Sequence, residues 1–274
     1  MGWLVWALSP TYRRRLQANA RLAGVDARAQ RRAVAEAGRM VAELPWLWLR
    51  PDDGELARRT QWVGAEPLDA IVAAHRPLVM LTPHMGSFEV SARAFVDRYG
   101  DAKPLTVLYR PAKKKALRDF QEVARGRPDL ATAPATLAGV RQMLRALRRG
   151  EGVGLLPDQV PPEGQGVWAP FFGLPAYTMT LAARLAQQTG ADCYVVRCER
   201  LPRGRGFRMH CSPLARPLPQ GTDEEAQAAA AIIINETMEE VILRDPGQYL
   251  WGYNRYKQPR PPDVPATDAE VAKA

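Results

Sequence analysis

The sequence predicts an α/β domain with a mainly parallel central sheet flanked by helices, preceded by an N-terminal helical segment. Short apolar runs alternate with helical stretches along most of the chain, the pattern of strands joined by crossover helices. The run Leu78-Val79-Met80-Leu81 reads as a buried strand. A chain of 274 residues, 46% hydrophobic and 24% charged, is long enough to bury a substantial core.

Taken in order, residues 11 to 63 read as helices broken near Pro45 and at Pro51-Asp52-Asp53-Gly54. The alternation then begins. Strand 78–82 precedes helix 87–98, strand 105–109 precedes a basic helix 112–125, and helix 136–149 precedes strand 152–157. The segment Val167 to Ala176 reads as an apolar loop ahead of helix 178–189 and strand 191–199, and strand 206–212 and helix 222–243 complete the pattern. Residues 258–274, with Pro259, Pro261, Pro262 and Pro265, read as a mobile tail. The expected division is therefore 1–63, 64–257 and 258–274, with no internal repeat.

The 38 Lys+Arg against 29 Asp+Glu give a net charge of +9 and a pI near 9.8. That balance favours an anionic partner such as acidic lipid, an acidic protein or nucleic acid. No apolar stretch approaches the ~18 residues needed to cross a bilayer. The N-terminus Gly2-Trp3-Leu4-Val5-Trp6-Ala7-Leu8 has neither the charged start nor the cleavage site of a signal peptide. It is followed by Arg13-Arg14-Arg15, Arg21, Arg28, Arg31 and Arg32, with Asp26 the one acid up to residue 32. Two tryptophans beside an Arg-rich stretch suit a membrane interface, and equally an ordinary amphipathic helix with a solvated basic face.

Cys193, Cys198 and Cys211 match no metal-ligand spacing, and an odd, sparse set points to a reducing compartment. His210 and Cys211 are adjacent in a strand and so face opposite ways, which makes both structural. His75 reads as a surface residue. No metal site is expected.

The chemistry concentrates at His84-Met85-Gly86-Ser87-Phe88-Glu89, directly after the buried strand. On a continuous helix a His and a Glu five residues on lie about 140° apart, so the pair converges only if the chain turns between them. Gly86 supplies that turn, Ser87 is a candidate cap, and Glu89 falls in the first turn of the next helix. Three further segments keep company with this motif. Arg110 follows Tyr109 and is itself followed by Lys113, Lys114, Lys115 and Arg118; Asp158 and Gln159 follow Leu155-Leu156-Pro157; Pro170-Phe171-Phe172-Gly173 precedes Thr178. Between Arg110 and Arg149 there are eleven Lys/Arg against Asp119, Glu122 and Asp129, so the positive charge is local to the candidate site. Each segment alone suits a structural role; their joint placement at strand ends favours a site.

At these residues the chain resembles the bacterial lipid A biosynthesis (lauroyl/myristoyl) acyltransferases of the lysophospholipid acyltransferase superfamily, from roughly residue 10 to 257. His84 to Glu89 is similar to the family's H-x-G-N-W-E, with Ser87 for Asn and Phe88 for Trp. Tyr109-Arg110-Pro111, Pro157-Asp158-Gln159, Pro170 to Gly173 and Thr178 follow in the family's order. Gln248-Tyr249-Leu250-Trp251 and Arg255-Tyr256-Lys257 resemble its closing Q-Y-x-W-x-H-x-R-F-K, with Tyr253 where His is usual.

The resemblance implies a glycerolipid-acyltransferase-like fold and a reaction moving a fatty acyl chain to a hydroxyl of a lipid A precursor. The implied donor is acyl-acyl carrier protein, or acyl-CoA, with no cofactor. Acyl transfer to an alcohol needs a base, assigned to His84, with Glu89 orienting the imidazole if it bonds the other ring nitrogen. No G-x-S-x-G elbow is present, and His210 and Cys211 face opposite ways, which favours direct transfer without a covalent intermediate. Gly86, Ser87, Arg110, Lys113, Lys114, Lys115, Asp158 and Gln159 form the expected substrate-binding set, the basic residues meeting acceptor phosphates or the acidic carrier. The chain is expected to lack the family's usual N-terminal anchoring helix and to bind peripherally at the cytoplasmic face of the inner membrane. Rival readings are an acyltransferase for another glycolipid or aminolipid, and a non-catalytic basic membrane- or nucleic-acid-binding protein. The second would interleave basic and aromatic residues on an exposed sheet. Here the basic residues fall mainly on helices, so nucleic acid is not an expected partner.

Overall fold

The computed structural model describes residues 1–49, 54–109, 129–221 and 223–259. Nine strands occur among them: β1 Thr60–Val63, β2 Leu78–Leu81, β3 Leu105–Tyr109, β4 Leu130–Pro134, β5 Gly152–Leu155, β6 Gly166–Phe171, β7 Leu174–Met179, β8 Asp192–Arg200 and β9 Phe207–Pro213. The helices are α1 Gly2–Leu8, α2 Pro10–Leu22, α3 Ala27–Leu49, α4 Glu55–Arg58, α5 Glu66–Ala73, α6 Phe88–Tyr99, α7 Leu137–Arg148, α8 Leu181–Thr189 and α9 Glu224–Leu243.

Seven strands form one sheet in the order β1-β9-β8-β2-β5-β3-β4, and β6 and β7 form a separate hairpin. β8, β2, β5, β3 and β4 run parallel; β9 is antiparallel to β8, and β1 is parallel to β9. The predicted α/β class with a mostly parallel sheet is what the chain adopts. β2 lies at the centre, Leu81 pairing with Leu155 on one side and Val195 on the other. All four of its residues are buried, because helices cover both faces. Val79 and Leu81 join a core with α2, α3, α7, α8 and α9. Leu78 and Met80 join the other, with α5 and α6. β8 runs on past this register to Arg200, forming one wall above the end of β2.

Several local expectations are corrected. Pro45 does not break α3, which continues to Leu49. Its ring denies a hydrogen bond only to the carbonyl of Val41, and both residues are exposed, so water can take that carbonyl. Residues 60–63 are a strand, not helix: Thr60 and Trp62 suit the edge of a sheet and pair with Phe207 and Met209. β4 was not foreseen.

The expected apolar loop is a hairpin whose turn, Phe172-Gly173, has φ of 45° and 79°. Two consecutive left-handed residues match the twist of a two-residue hairpin turn. α8 accordingly begins at Leu181 rather than 178, because Thr178 and Met179 complete β7. Ser87 occupies the N-cap position of α6 without a side-chain capping bond; Val90 donates instead to the Ser87 carbonyl at 2.8 Å. The basic helix expected at 112–125 and most of the 258–274 tail lie outside the described residues.

Among the described residues no helix is long and apolar enough to cross a membrane. α1 packs on α3 at a backbone crossing where Gly2 meets Gly38 and Val34, leaving no room for a Cβ on either glycine. Trp6 packs against the core, whereas Met1, Trp3, Leu4, Val5 and Leu8 are exposed. Gly38→Leu should therefore dislodge α1 while leaving the sheet intact. Limited proteolysis should show earlier cleavage ahead of α2 with an unchanged resistant core; an unaltered digestion pattern would mean the crossing tolerates a side chain.

Candidate active site

The loop 82–87 is fixed from three directions. Thr82 N–H donates to Leu155 O on β5 at 3.0 Å, Ser87 N–H to Cys198 O on β8 at 2.9 Å, and Gly86 N–H to Gln248 O at 2.8 Å. Leu250 N–H returns a bond to His84 O at 3.1 Å. Gly86 has a φ of 58°, and a Cβ there would overlap the Cys198 carbonyl oxygen. Both conditions exclude any other residue. The reading of Gly86 as the turn between imidazole and carboxylate thus corresponds to its conformation.

The loop presents His84, its side chain 18% exposed, above β2, with its ring against Asp158 just past the end of β5. Nδ1 lies 2.7 Å from Asp158 Oδ1, and the His84 backbone N–H donates to Oδ2 at 2.9 Å. One carboxylate thus holds both the main chain and the ring of the same residue. Asp158 is 1% exposed. Burial alone would push its carboxyl up, but the facing imidazole charge and the hydrogen bonds from His84 outweigh it, and the net shift is down from 3.8. Beneath it, the buried Tyr249 hydroxyl bonds the same carboxylate; burial first, then that negative charge, push the phenol up.

Arg255 closes the floor. It is 3% exposed and donates to Tyr177 O, Thr178 Oγ1 and Asn235 Oδ1. Its guanidinium stacks on Phe171 at 5.0 Å. Burial lowers its pKa despite the negative field of Tyr249 and Asp158.

The expected site residues divide into five groups. His84 and Asp158 converge directly. Gly86 and Ser87 are buried in the loop and shape it, and the Ser87 Oγ has no hydrogen-bond partner among the described residues. Gln159 is half-buried beside Asp158. Arg110, Lys113, Lys114 and Lys115 lie outside the described residues; β3, which leads to them, ends two strands from β2. Glu89 sits half-buried in the first turn of α6, beside Phe88, whose ring centroid is 4.9 Å from that of His84. The carboxylate on Nδ1 is thus that of Asp158, a place the sequence reading gave to Glu89.

Gln248 and Tyr249 are site residues that sequence reasoning noticed without giving them a role. The Gln248 side chain accepts from Arg200 N and donates to Arg200 O and Asp245 Oδ2. Its amide thus ties the end of β8 to the segment gripping Gly86.

Away from the site, His75 is exposed, and His210 Nε2 lies 2.8 Å from Glu199. The three cysteines are free thiols, all pushed up by burial. Among the described residues no cluster of His, Cys, Asp or Glu can hold a metal ion.

Because the Asp158 carboxyl titrates lower in the folded than in the unfolded chain, its stabilisation is present above about pH 4 and is lost as pH falls through the folded value. The denaturation midpoint should therefore drop relative to Asp158→Asn as pH goes from roughly 5 to 3. Parallel pH profiles for the two proteins would show that the pair does not stabilise the charged carboxylate.

Over residues 1–258 the chain matches the family described as bacterial lipid A biosynthesis acyltransferase. It is 29% identical over 235 residues to the lipid A biosynthesis lauroyltransferase of Escherichia coli K12, covering 84% of this chain and 71% of that protein. With the lipid A biosynthesis palmitoleoyltransferase of the same organism it shares 30% identity over 224 residues, 80% of this chain and 68% of the other. A lipid A biosynthesis acyltransferase of Haemophilus influenzae is 24% identical over 196 residues, 72% of this chain and 58% of the relative.

Proposed function

Since the chain belongs to the bacterial lipid A biosynthesis acyltransferase family, and is accordingly an acyltransferase, we propose that it moves a fatty acyl chain from acyl-acyl carrier protein to a hydroxyl of a lipid A precursor, with His84 as general base. The observation that carries this reading is the His84–Asp158 contact at the mouth of the central strand. With Nδ1 committed to a carboxylate, Nε2 is the nitrogen left to take a proton from an acceptor hydroxyl.

The acceptor oxygen attacks the thioester carbonyl as Nε2 removes its proton. The tetrahedral intermediate then collapses, the C–S bond breaks, and the imidazolium returns the proton to the departing thiolate. Asp158 keeps the imidazole in one tautomer and stabilises its positive charge. No step requires an acyl-enzyme.

Glu89 retains a place in this proposal on the acceptor side of the ring, where it holds the incoming hydroxyl or its sugar. His84→Ala should lower transfer by roughly two to four orders of magnitude. Asp158→Asn should lower kcat with little change in acceptor KM, whereas Glu89→Gln should act mainly on acceptor KM. Steady-state kinetics of the three purified variants checks this. A near-wild-type rate for His84→Ala would remove the base, and the Asp158 effect appearing in Glu89→Gln instead would exchange the carboxylates.

The basic residues Arg110 and Lys113 to Lys115 are proposed to meet the acidic carrier or the acceptor's phosphates, so apparent KM should rise with ionic strength. Attachment is proposed to be peripheral, at the cytoplasmic face of the inner membrane. The exposed Trp3, Leu4 and Leu8 of α1 would enter the lipid interface, and the arginines of α2 would contribute about 1 kcal/mol each near an anionic surface. Flotation with anionic liposomes should fall sharply on deleting residues 1–9; equal flotation would place the contact elsewhere on the fold.

A further inference from the structure

A cavity of about 940 Å³ opens one strand over from His84, between α3, the β8–β9 turn and the Pro246–Gln248 turn. Six arginines line it, Arg28, Arg32, Arg39, Arg59, Arg200 and Arg203, with Asp26, Glu36, Glu43 and Asp245. The four acids are already engaged. Asp245 takes both Arg32 nitrogens at 2.7 and 3.1 Å. Glu43 takes a two-point contact from Arg200 at 2.8 and 2.6 Å. Glu36 lies between Arg39 and Arg200, and Asp26 caps Ala29 N–H at 2.7 Å.

Arg59 pairs with Glu55 at 2.7 Å, which leaves two positive groups over. Among the described residues the exposed Arg28 and Arg203 have no carboxylate partner. Arg203 is also held at φ 57° in the turn Pro202–Gly204, a left-handed conformation that a long side chain rarely adopts. The cavity is coupled to the catalytic loop, because Arg200 donates to Gly86 O at 3.1 Å while holding Glu43. It lies above β8, on the opposite side of β2 from β5 and β3.

We infer that this cavity is an anion subsite that takes a phosphate monoester of the acceptor glycolipid, with Arg28 and Arg203 supplying its unneutralised positive charge; this rests on the acyl-transfer reading above. Guanidinium forks suit a phosphate dianion, and the volume admits a sugar phosphate rather than a bare ion. The arginine–carboxylate lattice below fixes the walls, so binding needs little reordering of the cavity itself.

The test uses the full chain, with glucosamine 1-phosphate as probe and glucosamine as control in calorimetric titrations. It adds kinetics of the double variant Arg28→Glu/Arg203→Glu on a phosphorylated and a dephosphorylated lipid A precursor. Both arginines are exposed, so the variant should fold, which circular dichroism would verify. Binding of glucosamine 1-phosphate but not glucosamine is expected, and it should be lost in the double variant. Acceptor KM should rise by roughly ten- to hundredfold for the phosphorylated precursor only, with donor KM unchanged and partial rescue by the Lys pair.

Equal probe binding by wild type and variant would overturn the proposal. So would a rise confined to donor KM, which would assign the arginines to the carrier protein. If the wild type binds the sugar phosphate but acylates neither precursor, the subsite stands and the assignment of the reaction falls.

Discussion

The site depends on one carboxylate serving two donors of the same residue. Asp158 accepts from both the main chain and the ring of His84, so the imidazole cannot rotate about its side-chain bonds without giving up a contact to a buried charge. A buried charge left with fewer partners is expensive, roughly 3–5 kcal/mol when one member of such a pair is removed. The sheet makes this possible. β2 and β5 are adjacent and in register to Leu81 and Leu155, so the residues just beyond their ends meet as a matter of geometry.

Around that contact the support is mostly backbone. Leu155, Cys198 and Gln248 lend carbonyl oxygens to the loop, and Gly86 offers the close approach they need. The next layer is polar and buried: Tyr249, then Arg255 with Thr178 and Asn235. This network joins the hairpin, α9 and the segment after it to the floor of the site, with Arg255 Nε left without a hydrogen-bond partner among the described residues.

Legibility from the sequence followed how local the determinants were. β2 was readable as an unbroken apolar run, α6 from Gly86 and Ser87 ahead of it, α7 from its apolar–basic periodicity and α9 from its length without Gly or Pro. The β6–β7 hairpin was not. Its inward residues Ala169, Phe171, Ala176 and Thr178 alternate with Trp168, Pro170, Pro175 and Tyr177, so no contrast in polarity marks the two faces. Pairing at the site failed for a related reason. His84 and Glu89 are close in sequence and invite a dyad, whereas Asp158 is 74 residues away and is brought in by sheet order. A Pro-Asp-Gln at the end of a buried run marked Asp158 as belonging to the site; only the strand order β2-β5 names its partner.

The grip of Gln248 and Leu250 on the loop around His84 has a consequence for the order in which the site forms. Contacts that join residues 84–86 to 248–250 close long loops of this fold, and such non-local closures are slow to form. During synthesis the imidazole and its carboxylate emerge well before the strap that locks them. A chain that stops short of Gln248 therefore carries His84 and Asp158 without the two backbone contacts that clamp their loop from above.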